Sequence, residues 1–194
     1  PTLSWEEHDY LIEKAVHIAG GRTQIIAGTG SNCTAEAIEH SQKAQEAGVD
    51  GLLLVSPYYN KPTQTGLYEH FLAVANSVEI PIMLYNILGR CGVNLETETL
   101  VRLAEHPNIQ AVKEASGSVC QFMEVLDAVP ENFTVLSGDD NLTYPLLSLG
   151  GHGVVSVLAN VLPAEIKSMV DEGLEENYVS AREKHYQLFP LFKA

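Results

Sequence analysis

Six short apolar runs, rich in valine, isoleucine and leucine, recur along this chain with room for one helix between each pair. They occupy residues 23–27, 51–55, 80–85, 109–113, 133–137 and 153–157, and their starts lie 28, 29, 29, 24 and 20 residues apart. None alternates cleanly between apolar and polar, which is the mark of a strand covered on both faces. The intervening stretches, 34–47, 65–77, 96–105, 119–129 and 142–149, carry helical patterns. Strands joined by helices must run parallel, because a parallel connection needs a crossover of a dozen residues or more.

Units of this spacing fit either a doubly wound sheet or a (β/α)₈ barrel. Two features favour the barrel. Gly28-Thr29-Gly30-Ser31-Asn32-Cys33 lacks the third glycine of a dinucleotide-binding turn. Polar and reactive residues (Thr29, Tyr58, Tyr59, Asn86, Lys113, Asp139, Asp140) also gather at the C-terminal ends of the runs, the face on which barrels place their chemistry. The predicted fold class is therefore α/β, a partial (β/α)₈ TIM barrel of about six βα units with the start of a C-terminal helical extension. Residues 1–160 are assigned to the barrel, and 161–194 to its last helix and the helical region. A barrel needs eight strands, so two more are expected before Pro1, with further helix after Ala194. Residues 1–194 alone are expected to be inactive or unstable.

Local signals refine the helices. Ser4 is a candidate N-cap for a first helix whose first turn holds Glu6 and Glu7 and whose apolar face carries Leu11, Ala15 and Ile18. Asn32 or Cys33-Thr34 offers a cap before 34–47, and Glu46-Ala47-Gly48 a glycine stop. Two final helices are predicted over 164–172 and 175–188.

The formal charge of −14, from 25 acidic and 11 basic side chains, argues against nucleic acid or an anionic membrane as partner. It leaves room for a local basic pocket. Three separated cysteines, Cys33, Cys91 and Cys120, suggest neither a disulfide framework nor a zinc site. The longest apolar stretch, 153–163, is too short to span a bilayer. The seven histidines show no ligand spacing, so no metal is expected. A cytoplasmic location is expected, or the plastid stroma for a plant-like source.

Lys113 carries the chemistry. It closes Asn108-Ile109-Gln110-Ala111-Val112-Lys113, a buried-strand pattern that rarely ends in an ammonium group. Desolvation lowers the pKa of a lysine and exposes its lone pair, and such an amine forms a Schiff base with a carbonyl substrate. The alternative is a structural pair with a carboxylate such as Glu114. Tyr85 ends the preceding run, and neighbouring parallel strands lie about 4.8 Å apart, so its phenol is expected within reach of the amine as a proton carrier. Arg90 lies between Gly89 and Cys91-Gly92. It suits a bidentate grip on a carboxylate, or is simply a solvated loop arginine. Gly138 follows a strand end, where a small residue lets a substrate approach the backbone. Asp139-Asp140 reads as a cap for the helix near Leu142, and His152 as a turn-stabilising residue.

Taken together, Gly28-Thr29-Gly30, Pro57-Tyr58-Tyr59-Asn60, Leu84-Tyr85-Asn86, Val112-Lys113-Glu114-Ala115-Ser116-Gly117, Leu136-Ser137-Gly138-Asp139-Asp140 and Gly150-Gly151-His152-Gly153-Val154-Val155-Ser156 resemble the dihydrodipicolinate synthase family of pyruvate-dependent class I aldolases. The resemblance covers essentially the whole chain. It implies pyruvate held as an imine on Lys113 with no other cofactor, L-aspartate 4-semialdehyde as second substrate, and a homotetramer built from tight dimers. It implies Tyr85 as proton-transfer residue and Tyr59 as a tyrosine donated across the dimer interface. Arg90 would hold the semialdehyde carboxylate, with Gly138 and Val155 beside the pyruvate. An allosteric L-lysine site would involve Trp5, His8, Asn32, Glu36 and Tyr58. The family's Val-Pro-Ser-Arg-Thr-Gly loop reads Ile87-Leu88-Gly89-Arg90-Cys91-Gly92 here, and its Gly-Thr-Thr-Gly-Glu motif would lie upstream of Pro1. The same scaffold would also serve N-acetylneuraminate lyases and 2-keto-3-deoxy sugar acid aldolases. A non-catalytic lysine-binding subunit is the alternative from another class.

Overall fold

The computed structural model describes residues 2–193. The chain forms two compact units, 1–110 and 111–194, divided within one strand. The first unit holds α1 (Trp5–Ala19), β1 (Ile26–Gly28), α2 (Thr34–Glu46), β2 (Gly51–Val55), α3 (Gln64–Ala75), β3 (Ile82–Asn86), α4 (Leu88–Cys91) and α5 (Thr97–Leu103). β4 (Ile109–Glu114) leads into the second, which holds α6 (Val119–Ala128), β5 (Thr134–Ser137), α7 (Thr143–Leu147), α8 (Pro163–Leu174) and α9 (Tyr178–Phe192).

In the first unit β1, β2 and β3 pair in parallel and in chain order, with Ala27 opposite Leu52 and Leu53 opposite Met83. β1 starts three residues later than its apolar pattern. Thr23 and Gln24 are exposed, and the Asp50 carboxylate takes the Ile25 N–H at 2.7 Å. β3 starts at Ile82 because Pro81 has no N–H to give; the Pro81 carbonyl accepts from Leu52 N at 2.9 Å instead. α1 is closed by a reciprocal cap, in which Glu7 N donates to Ser4 Oγ and Ser4 N to the Glu7 carboxylate. Leu11 and Ile18 on its predicted apolar face are exposed. α2 has no side-chain cap: Asn32 donates instead to the Tyr58 carbonyl at 3.1 Å. α3 buries Leu67, Phe71 and Val74 completely, at helical spacing.

The second unit pairs β4 with β5 in parallel, with Lys113 opposite Leu136 and Glu114 opposite Ser137. The sixth apolar run does not become a strand. It makes one parallel bridge, Ser137 to Val154, before the Asp140 carboxylate captures the N–H groups of Val157 and Leu158 at 3.0 and 2.9 Å. The backbone then tightens into a 3₁₀ turn over Leu158–Asn160. The helix expected over 142–149 is a 3₁₀ turn, Asp140–Leu142, followed by α7. α8 runs to Leu174 with Glu175 as its cap, and Glu176 sits at φ 62°, so α9 begins only at Tyr178. α9 continues past Pro190 to Phe192. α8 and α9 bury Ile166, Met169 and Leu188 in one apolar cluster.

Gly30 is where the first unit is tightest. A Cβ there would stand 2.5 Å from Val55 N and 3.2 Å from Leu54 C, both backbone atoms of β2. Gly30→Ala is expected to destabilise by about 1–3 kcal/mol, the usual cost of forcing a methyl group into a packed core. Gly28→Ala, with no atom within 4 Å of the new methyl, is expected to leave the urea midpoint nearly unchanged. Equal midpoints for the two variants would contradict this.

Candidate active site

In the second unit, Lys113 is the penultimate residue of β4 and 9% exposed. The strand places it there because Ala111, Val112 and Ala115 around it are themselves buried. Burial pushes the Lys113 amine below the ordinary lysine range, against the opposing pull of Asp139 and Asp140. Both of these aspartates lie in the loop after β5. The Glu114 carboxylate takes the Ser116 N–H at 2.6 Å and the Gln121 amide at 3.2 Å. Gln121 lies on α6, so this clamp fixes the turn that follows the lysine.

The loop carrying Asp139 is tied down at several points. Gly138 N donates to the Glu114 carbonyl at 2.8 Å. Ser137 Oγ receives Asp139 N and donates to the Asp139 carbonyl, and Thr143 Oγ1 donates to the same carbonyl. A Cβ on Gly138 would stand 2.6 Å from Ala115 Cβ and 3.0 Å from Lys113 Cε, so the glycine backbone lies directly against the lysine stem. Val155, half-buried, donates its N–H to the Ser137 carbonyl at 2.9 Å. Gly138 and Val155 are thus brought to the same strand end as the lysine. The acidic pair does not cap the following helix as expected. Asp139 makes no side-chain cap bond, and burial pushes its carboxyl above the usual range against the pull of Lys113. Asp140 spends one oxygen on Val157 and Leu158. His152 accepts the Val135 N–H at 3.1 Å, supporting β5.

In the first unit, Tyr85 is half-buried near the end of β3. The Asn86 amide latches the loop that follows, bonding Asn94 Oδ1 and the Leu95 N–H, each at 2.9 Å. Inside it the departure Ile87-Leu88-Gly89-Arg90-Cys91-Gly92 forms α4, missed in the sequence because two glycines suggested a loop. Its Cys91 thiol is buried and donates to the Ser56 carbonyl at 3.0 Å, and burial raises its pKa. Arg90 is left at the surface. The Lys61 stem packs on Gly92, where a Cβ would approach its Cε to 2.9 Å.

Tyr59 stands at φ 73° with 90% of its surface exposed, and Lys61 at φ 45°. Left-handed non-glycine residues are uncommon and are held by their surroundings. Here Asn60 donates to the Asn32 carbonyl while Asn32 donates to that of Tyr58. Asn32 and Tyr58 are thereby joined. Glu36 accepts from Ser31 Oγ at 2.7 Å. Trp5 and His8 meet edge to face at 5.6 Å, and the Trp5 indole stacks on His40, a residue that no sequence motif singles out.

The Dihydrodipicolinate synthetase family model matches residues 1–194. The chain belongs to the dihydrodipicolinate synthetase family. A 4-hydroxy-tetrahydrodipicolinate synthase of Leptospira biflexa is 53% identical over 192 residues, spanning 99% of this chain and 65% of the relative. The chain thus spans a little under two thirds of that relative's length. A solved DHDPS of Cyanidioschyzon merolae with lysine bound superposes with TM-score 0.96 at 45% identity, covering 99% of this chain and 66% of the other. The chloride-inhibited dihydrodipicolinate synthase of Acinetobacter baumannii complexed with pyruvate gives 0.96 at 43% identity, again over 99% and 66%. The likeness gives this family member the α/β-barrel fold class of those structures over the stretch that it spans.

Two expectations follow from the Lys113 surroundings. Gly138→Ala is expected to push the lysine stem aside and to cost about 1–3 kcal/mol of stability. Asp139→Asn removes a negative charge that favours the ammonium form, so the amine should lose its proton at lower pH. Carbamylation of Lys113 by cyanate, followed against pH by peptide mass mapping, should therefore move acidward in Asp139→Asn. A shift in the alkaline direction would contradict the assignment.

Proposed function

We propose that the protein is a Schiff-base-forming lyase, a 4-hydroxy-tetrahydrodipicolinate synthase condensing pyruvate with L-aspartate 4-semialdehyde in lysine and diaminopimelate biosynthesis. The observation that carries this reading is the buried Lys113 amine at a strand end, held by desolvation below its ordinary range. The names of the relatives and the pyruvate in the Acinetobacter baumannii structure support it.

The neutral Lys113 amine attacks the keto carbon of pyruvate, and the carbinolamine loses water to give an iminium. Loss of a methyl proton gives an enamine, whose terminal carbon bonds to the aldehyde carbon of the semialdehyde. The substrate's own amine then displaces Lys113 in closing the ring, returning the lysine. Each stage moves a proton, and Tyr85 is the residue proposed to carry it. Arg90 grips the semialdehyde carboxylate as a bidentate donor. Gly138 and Val155 lie beside the pyruvate, where a bare backbone leaves room for it. No metal takes part.

Tyr59 is assigned to a partner's site in a homotetramer of tight dimers. Its 90% exposure and left-handed backbone support a side chain presented outward. Trp5, His8, Asn32, Glu36 and Tyr58 are assigned to an allosteric lysine site, with Glu36 receiving the ammonium. The lysine bound in the Cyanidioschyzon merolae structure supports it. Residues 1–160 are assigned to the barrel and 161–194 to its last helix and the helical region, and the location to the cytoplasm or plastid stroma.

Incubating the intact protein with pyruvate and borohydride is expected to fix one pyruvate-derived adduct on Lys113, absent in Lys113→Ala. Tyr85→Phe is expected to lower turnover by about 10²–10⁴, the usual worth of a proton-transfer group. An intact wild-type protein without the adduct would point to a non-catalytic subunit. Preferred turnover of N-acetylneuraminate over the semialdehyde would move the substrate assignment to the sugar acid aldolases.

A further inference from the structure

The first turn of α1 carries Trp5, and the middle of α2 carries His40. Their ring centroids lie 3.6 Å apart and the planes 18° from parallel, a stacked face-to-face arrangement. His40 is 3% exposed, and its Nδ1 stands 3.1 Å from Asp9 Oδ1. One face of the imidazole is thus covered by the indole while one edge is held by a carboxylate. Asp9 also faces Lys43 at 3.5 Å and His8 at 3.6 Å, and Lys43 bonds Glu39 at 2.8 Å. Glu6 on α1 lies within electrostatic reach of both Lys43 and Asp9. On α3, which also packs against α2, His70 is engaged with Thr34 at 2.9 Å.

Trp5 is the first residue of its helix and remains 39% exposed. A side chain there has open rotamers on the solvent side. The histidine ring is the flat surface against which its plane is set. A carboxylate at the edge of that ring limits rotation of the imidazole, and Asp9 lies one turn along α1 from Trp5 itself. We propose that His40 is a positioning residue which, clamped by Asp9, fixes the plane of the Trp5 indole and so the surface that Trp5 presents beside His8. The consequence for lysine binding rests on the effector reading above; the positioning does not.

Trp5 is the one tryptophan in these 194 residues. The difference between the emission of the intact protein and of its Trp5→Phe variant isolates it. Trp5 anisotropy is expected to decay slowly in the protein, as for an indole held in one plane. His40→Tyr, which keeps a stacking ring, should retain that slow decay, and His8→Leu, which leaves the stack in place, should keep it as well. His40→Leu should lose it. Equal anisotropy decay in wild type and His40→Leu would overturn the assignment. Calorimetry then reads the consequence, with lysine binding weakened in His40→Leu. A wild type with slow decay that gives no heat with lysine removes the effector reading and leaves the positioning of Trp5 supported.

Discussion

Removing an ammonium group from water is expensive, and a protein interior that holds one must either pair it or favour its neutral form. Lys113 meets both conditions in part. Burial beside Ala111, Val112 and Ala115 drives the amine toward neutrality, while Asp139 and Asp140 pull it back toward the charged form. The opposition matters for the imine chemistry proposed above. A wholly neutral amine would be a ready nucleophile but would leave the cationic iminium without a counter-charge. A tightly paired ammonium would not attack at all. The surrounding loops maintain this balance: the Glu114 clamp on Ser116 and Gln121, the Ser137 and Thr143 bonds that set Asp139, and Gly138 lying bare against the lysine stem.

The parallel strands make this arrangement possible because they bring the ends of successive runs to one side of a sheet. Within the second unit, β4 and β5 are in register with Glu114 opposite Ser137. The residues just past those positions therefore meet, and Gly138 N reaches the Glu114 carbonyl. Within the first unit the same logic joins the loop after β2 to the segment after β1, through Asn32, Tyr58 and Asn60. Positive-φ residues are tolerated in that loop because side-chain amides from both segments secure it.

Legibility in the sequence followed the range of the interactions involved. β2 and β4 could be read from composition because apolar runs are local signals, and Lys113 stood out because its charge broke one. The Ser4 cap of α1 was equally local. Asp139 and Asp140 were misread as caps because a short-range rule competed with a contact to another strand. The 153–157 run failed as a strand for a related reason: Asp140, some seventeen residues earlier, takes the N–H groups at its end. α4 was hidden by Gly89 and Gly92, and its buried Cys91 becomes intelligible only once Ser56 is seen above it. His40 resembles any polar residue on an exposed helix until α1 is laid across it.

The net charge of −14 opposes the anionic substrates proposed above only weakly, because fields from distant carboxylates are largely screened beyond about 8 Å at physiological ionic strength. The local arrangement of the few cations decides instead. Two of the 11 basic residues, Lys61 in the loop after β2 and Arg90 in α4 after β3, lie on neighbouring connections, and the Lys61 stem packs on the backbone at Gly92, two residues past Arg90. Gly92 lies in the left-handed region at φ 70°, which both ends α4 and removes the side chain that would hold Lys61 away. A helical turn of four residues, anchored by a buried thiol and the Asn86 latch, thereby carries Arg90 at the surface, with the Lys61 stem against its glycine cap. Arginine suits this position because its planar fork can meet both oxygens of a carboxylate, which a lysine ammonium cannot do as a point charge. In a protein this acidic, the grip of Arg90 on a carboxylate proposed above would depend on that local support rather than on the long-range potential.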